Sequence, residues 1–164
     1  MVQIKDSRNY RIVNAINHRV LSVSHDDKSH GGWLAIHDYD KNSYETVFKA
    51  NSCPGGKWKF ALVDDPNMCI GVDGDISGDE LKMLQIVNDG QKNVHTEWSV
   101  DHEDGPCKFA LHMITECGDL FWTIPDSARA GAVVGLVDRK DYPGQRWSFA
   151  SPRPVDKQGE GGRF

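Results

Sequence analysis

The sequence predicts an all-β domain of twelve short strands arranged as three similar units, and three observations carry that prediction. Apolar residues recur in pairs spaced i, i+2, which puts both side chains on one face of a strand, and no stretch sustains a 3.6-residue period. The pairs repeat in the same order three times: Lys59-Phe60-Ala61-Leu62 is echoed by Lys108-Phe109-Ala110-Leu111, and Tyr10-Arg11-Ile12 answers from the first unit, at offsets of 50 and 49. Clusters of turn residues separate the pairs, at 26–32, 53–56, 73–78, 89–90, 104–106 and 142–144.

The strands follow in order. In the first unit, residues 8–57, the inward pairs are Tyr10 with Ile12, Leu21 with Val23, Leu34 with Ile36, and Phe48 with Ala50. The second unit, 58–107, repeats them as Phe60 with Leu62, Ile70 with Val72, Leu84 with Ile86, and Trp98 with Val100. The third, 108–150, gives Phe109 with Leu111, Leu120 with Trp122, Val134 with Leu136, and Trp147 with Phe149. A chain that is 38% hydrophobic would rarely fill every one of these positions with an apolar residue by chance. A four-stranded unit cannot bury its apolar face alone, but three can close their edges together into a barrel with a pseudo-threefold axis, which is a β-trefoil. A β-sandwich would accommodate the strands but gives no reason for a repeat near fifty residues. After Ala150 the alternation stops, and residues 151–164, Pro- and Gly-rich, are expected to form a flexible tail.

Composition narrows the function. The chain has 164 residues, enough for one domain, with 19 basic and 24 acidic residues for a net charge of −5 and no Lys/Arg block, so nucleic acid is not an expected partner. Apolar runs are too short to cross a bilayer and Met1–Tyr10 lacks a hydrophobic signal segment, so membrane insertion is not expected and the expected location is cytoplasmic. Cys53, Cys69, Cys107 and Cys117 form no CxxC pair and are expected to be reduced, with Cys69 a small buried hydrophobe. An uncharged ligand suits such a surface.

The unit ends carry a resemblance. Gln145-Arg146-Trp147-Ser148-Phe149 is a QxWxF ending, Thr96-Glu97-Trp98 is an eroded copy, Tyr10–Asn14 reads YRIVN and Met68–Gly74 reads MCIGVDG. Over residues 8–150 these resemble the ricin B-type β-trefoil lectins, particularly the small single-domain lectins of mushroom-type fungi. The QxW element itself is structural: its aromatic plugs the barrel while Gln145 can hydrogen-bond backbone of the neighbouring loop. The resemblance implies carbohydrate binding, without catalysis or cofactor, in shallow pockets formed by the second and third strands and the loop before the fourth. In galactose-binding members an aspartate lies between the second strand's apolar pair and an aromatic follows the third pair. Here those places hold Ser22, Gly71 and Phe121, and His37, Val87 and Val137, so no unit keeps the standard site intact.

A neutral sugar needs an acceptor for paired hydroxyls, a ring against its C–H face, and donors to complete the network. The first unit is richest in these: Ser22, Asp26, His30, Gly31, Trp33, His37, Asp38, Tyr39, Asn42 and Tyr44. Trp33 immediately precedes the inward Leu34 and therefore points outward, where a large ring calls for a ligand, a partner or a rim to cover. Asp73, Asp75, Asn88 and His95 in the second unit, and Asp138, Tyr142 and Gln145 in the third, offer secondary sites. The expected ligand is a terminal galactose- or N-acetylgalactosamine-type glycan, gripped mainly by Asp38, His37, Trp33 and Tyr44. Shallow sites bind at about 0.1–1 mM, so several sites or a homodimer would supply avidity.

Seven histidines raise a metal reading, but no HxH or HExxH spacing occurs and no metal is expected. GxSxG, P-loop and GxGxxG motifs are likewise missing, and no carboxylate pair stands out, so no catalytic residue is assigned. The alternative from another class is a β-trefoil protease inhibitor presenting an extended loop, with 51–56 or 101–106 as candidates. The rings and acids around Trp33 favour the lectin.

Overall fold

A computed structural model describes residues 4–24, 28–38, 47–76, 81–103, 108–116, 118–125, 128–140 and 143–152. Its strands are β1 (Arg8–Asn14), β2 (Val20–Val23), β3 (Leu34–His37), β4 (Val47–Cys53), β5 (Lys57–Leu62), β6 (Asp65–Asp73), β7 (Lys82–Met83), β8 (Gln85–Asn88), β9 (Val94–His95), β10 (Ser99–His102), β11 (Phe109–Thr115), β12 (Gly118–Thr123), β13 (Gly135–Val137) and β14 (Trp147–Ala150). Among the described residues fourteen segments stand where twelve were expected: the third strand of the second unit is interrupted at Leu84, and β9 is an additional short pairing on β6.

Six strands close a barrel in the order β1, β4, β5, β10, β11, β14 and back to β1. β5 and β10 are joined through Trp58 and Trp98, whose amides exchange hydrogen bonds of 2.9 and 2.8 Å with the opposite carbonyls. Three hairpins, β2–β3, β6–β8 and β12–β13, cap one end. There the Leu34 amide donates to Leu84 O (3.1 Å), Leu84 to Val134 O (2.8 Å) and Val134 to Leu34 O (3.2 Å). This closed ring of equivalent bonds is the pseudo-threefold axis expected of a β-trefoil, and it satisfies backbone groups that an isolated hairpin would leave open.

The predicted inward pairs form the core. Phe149 lies in the barrel against Tyr10, Phe60 and Phe109, at centroid distances of 5.8, 5.8 and 5.4 Å. Trp122 packs against Trp98, Trp147 and Phe60 at 5.3, 5.9 and 5.9 Å. Val100 and Leu120 are only partly buried, while Met68 and Ile124, absent from the predicted pairs, join the core.

One register differs from expectation. The indole of Trp98 donates to Ile70 O (3.0 Å) and that of Trp147 to Trp122 O (3.1 Å), while Ile70 faces Ile86 and Trp122 faces Leu136. Trp122 and Ile124, not Leu120 and Trp122, are therefore the equivalents of Ile70 and Val72. A two-residue slip leaves side-chain parity unchanged, so alternation alone could not detect it. The position between the second strand's apolar pair in the third unit is consequently Thr123 rather than Phe121.

Beside the barrel, Lys59 donates to Asp89 (2.7 Å), which also accepts from Thr96 Oγ1 (2.6 Å). Burial works against the Asp89 charge, but the Lys59 and Thr96 hydrogen bonds outweigh it and hold the carboxyl below its ordinary range. The same bond to Asp89 raises the Lys59 ammonium. The folded state thus binds the Asp89 proton less readily than the unfolded chain, so the carboxylate's contribution is complete above the ordinary carboxylate range and is lost as pH falls through the depressed value. In Asp89→Asn, the loss of thermal midpoint relative to wild type should be largest near pH 6 and shrink toward pH 3.

Candidate functional site

The outer face of each capping hairpin is where the sequence reading placed a pocket, and backbone pairing fixes the equivalent positions. Trp33 bridges Gln85, Met83 pairs Gly135 and Val133 bridges Ala35, a cyclic pattern that makes Trp33, Met83 and Val133 equivalent. It follows that Ser22, Gly71 and Thr123 correspond, as do His37, Val87 and Val137, and Asp38, Asn88 and Asp138. The three faces are chemically different.

In the first, Ser22 lies buried opposite Ala35 and His37 ends β3 opposite Val20, all on the outer face. Asp38 follows, its side chain 79% exposed, accepting from Arg19 Nε at 2.9 Å. An exposed carboxylate beside a guanidinium offers an acceptor and a donor at one rim, the combination that vicinal hydroxyls require. Trp33 does point outward, at 47% exposure. It stands four residues before His37, roughly 13 Å along the strand, so the two cannot flank one monosaccharide. Asp26, Tyr39, Asn42 and Tyr44 lie outside the described residues.

His30 does not join this group. The Asn88 amide donates to His30 Nδ1 (2.9 Å), which leaves the proton on Nε2 to donate to Asp73 Oδ2 (2.9 Å). Residues assigned to two separate sites therefore meet at the seam between the first and second units and fasten it. Gly31 serves the same seam: its amide donates to Ile86 O at 2.6 Å from a backbone at φ 92°, the turn role that glycine permits.

The second face is filled. A Cβ on Gly71 would stand 2.4 Å from His95 O and 2.8 Å from Val87 Cγ2, because β9 lies across the position where an acidic side chain would sit. His95 is thus part of the filling, and Asp75 is turned to Asn93 Nδ2 (3.3 Å) in the adjoining loop.

The third face holds a cavity of about 630 Å³. Its lining includes Thr123, Val137 and Gly135 together with Leu81 and Met83 of the second unit. Thr123 Oγ1 donates to Phe121 O (2.7 Å) and accepts from Gln145 Nε2 (3.0 Å). Gln145 is fully buried; it also donates to Asp138 O (2.8 Å) and accepts from the Lys140 amide (2.7 Å). This is the backbone bracing expected of the QxW element, and it occupies the Gln145 side chain within the fold. Asp138 pairs with Lys140 at 3.2 Å, and Tyr142 lies outside the described residues.

The inhibitor loops are also corrected. Asn51, Ser52 and Cys53 are paired in β4 with Lys59, Trp58 and Lys57, leaving a turn of only Pro54–Gly56, and Asp101 and His102 lie in β10. Neither stretch protrudes as an extended loop where it is described; residues 104–106 fall outside. Among the described residues no three His, Cys, Asp or Glu side chains converge as a metal site. Cys53 and Cys69 are free thiols, and burial pushes Cys69 up to about 12, consistent with an inert packing role. Two polar residues carry no local sequence signal: Arg19, which lies 19 residues from its partner Asp38, and His112, which is held between Asp101 (2.5 Å) and Asp119 (2.7 Å).

No protein-family model and no curated protein matches the sequence. Solved structures do. The chain superposes on a lactose complex of the Macrolepiota procera ricin B-like lectin with a TM-score of 0.73 at 16% identity, covering 92% of this chain and 100% of that one. The fold is that of the ricin B-like lectins. Within this β-trefoil group, a designed threefold-symmetric protein, ThreeFoil, matches at TM-score 0.72 and 14% identity over 87% of this chain and 98% of its own. The earthworm R-type lectin C-half in complex with GalNAc matches at TM-score 0.63 and 14% identity, over 88% and 98%.

Proposed function

We propose that this β-trefoil is a carbohydrate-binding protein without catalytic activity, which takes a terminal galactose or N-acetylgalactosamine at the outer rim of its first unit. One observation carries the reading: the first hairpin has polar side chains at all three rim positions, Ser22, His37 and Asp38, with Arg19 beside the carboxylate. The second face is filled by β9 and the third is walled mainly by apolar residues. Asp38 accepts from paired sugar hydroxyls, Arg19 and His37 complete the hydrogen bonding, and Trp33 stacks on a more distant sugar of a longer glycan. The lactose and GalNAc bound by the two lectins of this fold support that ligand class.

Calorimetry with lactose and a glycan array test this. Wild type should bind lactose at about 0.1–1 mM. Asp38→Ala should weaken binding at least tenfold while its stability stays within about 0.5 kcal/mol, because the residue is exposed. Trp33→Ala should reduce binding of extended glycans and leave the monosaccharide unaffected. Unchanged lactose binding in Asp38→Ala would exclude the first rim.

A further inference from the structure

The third face occupies the place of a sugar pocket yet lacks a sugar pocket's chemistry. Leu81, Met83, Pro125, Val133 and Val137 form its walls, and its volume of about 630 Å³ lies within the range of small-molecule sites. Thr123, the residue at the acidic position, is buried, with its O–H given to Phe121 O. At the aromatic position stands Val137, which offers apolar contact and no ring. A monosaccharide placed here would bury hydroxyls against aliphatic side chains without partners, a costly arrangement. An apolar body would instead remove Leu81, 58% exposed, from water.

Polar chemistry at this cavity comes from Lys140, a lining residue paired with Asp138 at 3.2 Å with both side chains largely exposed. A cation and a carboxylate side by side are locally neutral and offer one donor and one acceptor. That combination suits hydroxyls and gives an anionic head no net attraction. We propose that the third unit binds a neutral amphiphile, an aliphatic chain inserted between Leu81, Met83 and Val137 with a hydroxylated head held by Lys140 and Asp138. The site belongs to a different unit from the first rim and stands whether or not that rim binds sugar.

Gly135 provides the decisive variant. A Cβ built there meets Met83 Sδ at 3.5 Å, Leu81 Cδ1 at 3.6 Å and Lys82 O at 3.7 Å, ordinary contacts, so a larger side chain can grow into the cavity from its inner wall. The probe is n-octyl β-D-galactopyranoside, titrated by calorimetry below its micelle concentration into Asp38→Ala protein, which silences the first rim. The octyl compound should bind at least tenfold more tightly than methyl β-D-galactopyranoside and more tightly than octanoate. Gly135→Leu should remove that advantage. Should Gly135→Leu fold poorly, Leu81→Asp, which changes an exposed wall, should do the same. Equal binding of octyl and methyl compounds, octyl binding indifferent to both variants, or tighter binding of octanoate would each overturn the proposal. Failure of the first-rim reading would show separately, as wild-type protein that ignores lactose while the chain-dependent binding persists.

Discussion

Trp122→Ala should destabilise the protein by about 3–5 kcal/mol, the range for emptying a large buried aromatic site. The indole is fully buried and touches Trp98, Trp147 and Phe60, so its removal opens a void among three rings that other strands hold in place. Domains of this fold's size are stable by roughly 5–15 kcal/mol, so the variant would lose a large fraction of the total and its melting temperature should fall by about 10 °C or more. The hydrogen bonding sharpens the test. Trp122 Nε1 has no partner among the described residues, whereas Trp147 Nε1 donates to Trp122 O at 3.1 Å. Trp147→Phe should therefore cost about 1 kcal/mol more than Trp122→Phe, since only the former leaves a buried carbonyl without its donor. Parallel urea unfolding curves of the three variants check the order.

Gly71→Ala carries the second large effect. One methyl group would have to share space with His95 O at 2.4 Å and Val87 Cγ2 at 2.8 Å, and a backbone carbonyl paired in β9 cannot swing aside as a flexible side chain would. Overpacking of this kind costs about 1–3 kcal/mol, and the backbone clash puts Gly71→Ala at the upper end. For the same steric reason Gly71→Asp, which would place an acidic residue at the position of a galactose site's aspartate, should yield an unstable protein and no new binding. By contrast Ser22→Ala removes one oxygen from a buried strand position and should unfold at nearly the wild-type denaturant concentration.

These expectations depend on features that the sequence revealed unevenly. The period-2 pairs placed Leu21, Ile70 and Phe149 inside because burial on one face of a strand leaves a mark in every second residue. That mark is silent about a slip of two, which is why the repeat pattern aligns Trp122 with Val72 instead of Ile70 and puts Phe121 where Thr123 belongs. The meeting of His30 with Asp73 and Asn88 was hidden for another reason: the cap interleaves the three hairpins, so the second-to-third-strand connection of one unit rests on the next. Contacts between units leave no mark in the pattern of any one unit. The apolar third cavity was half visible, since Val137 replaced an aromatic, but Leu81 and Met83 arrive from the second unit by the same interleaving. Trp33 pointed outward as alternation required, while the strand's length separated it from His37.

The most direct measurement is an amide ¹H–¹⁵N titration with methyl β-galactoside. Saturable shifts should be confined to the neighbourhood of Arg19, Ser22, His37 and Asp38, with the amides of Gly71, Val87, Thr123 and Val137 unmoved. Shifts centred on the second or third hairpin, or a spectrum that ignores the sugar at tens of millimolar, would contradict this expectation.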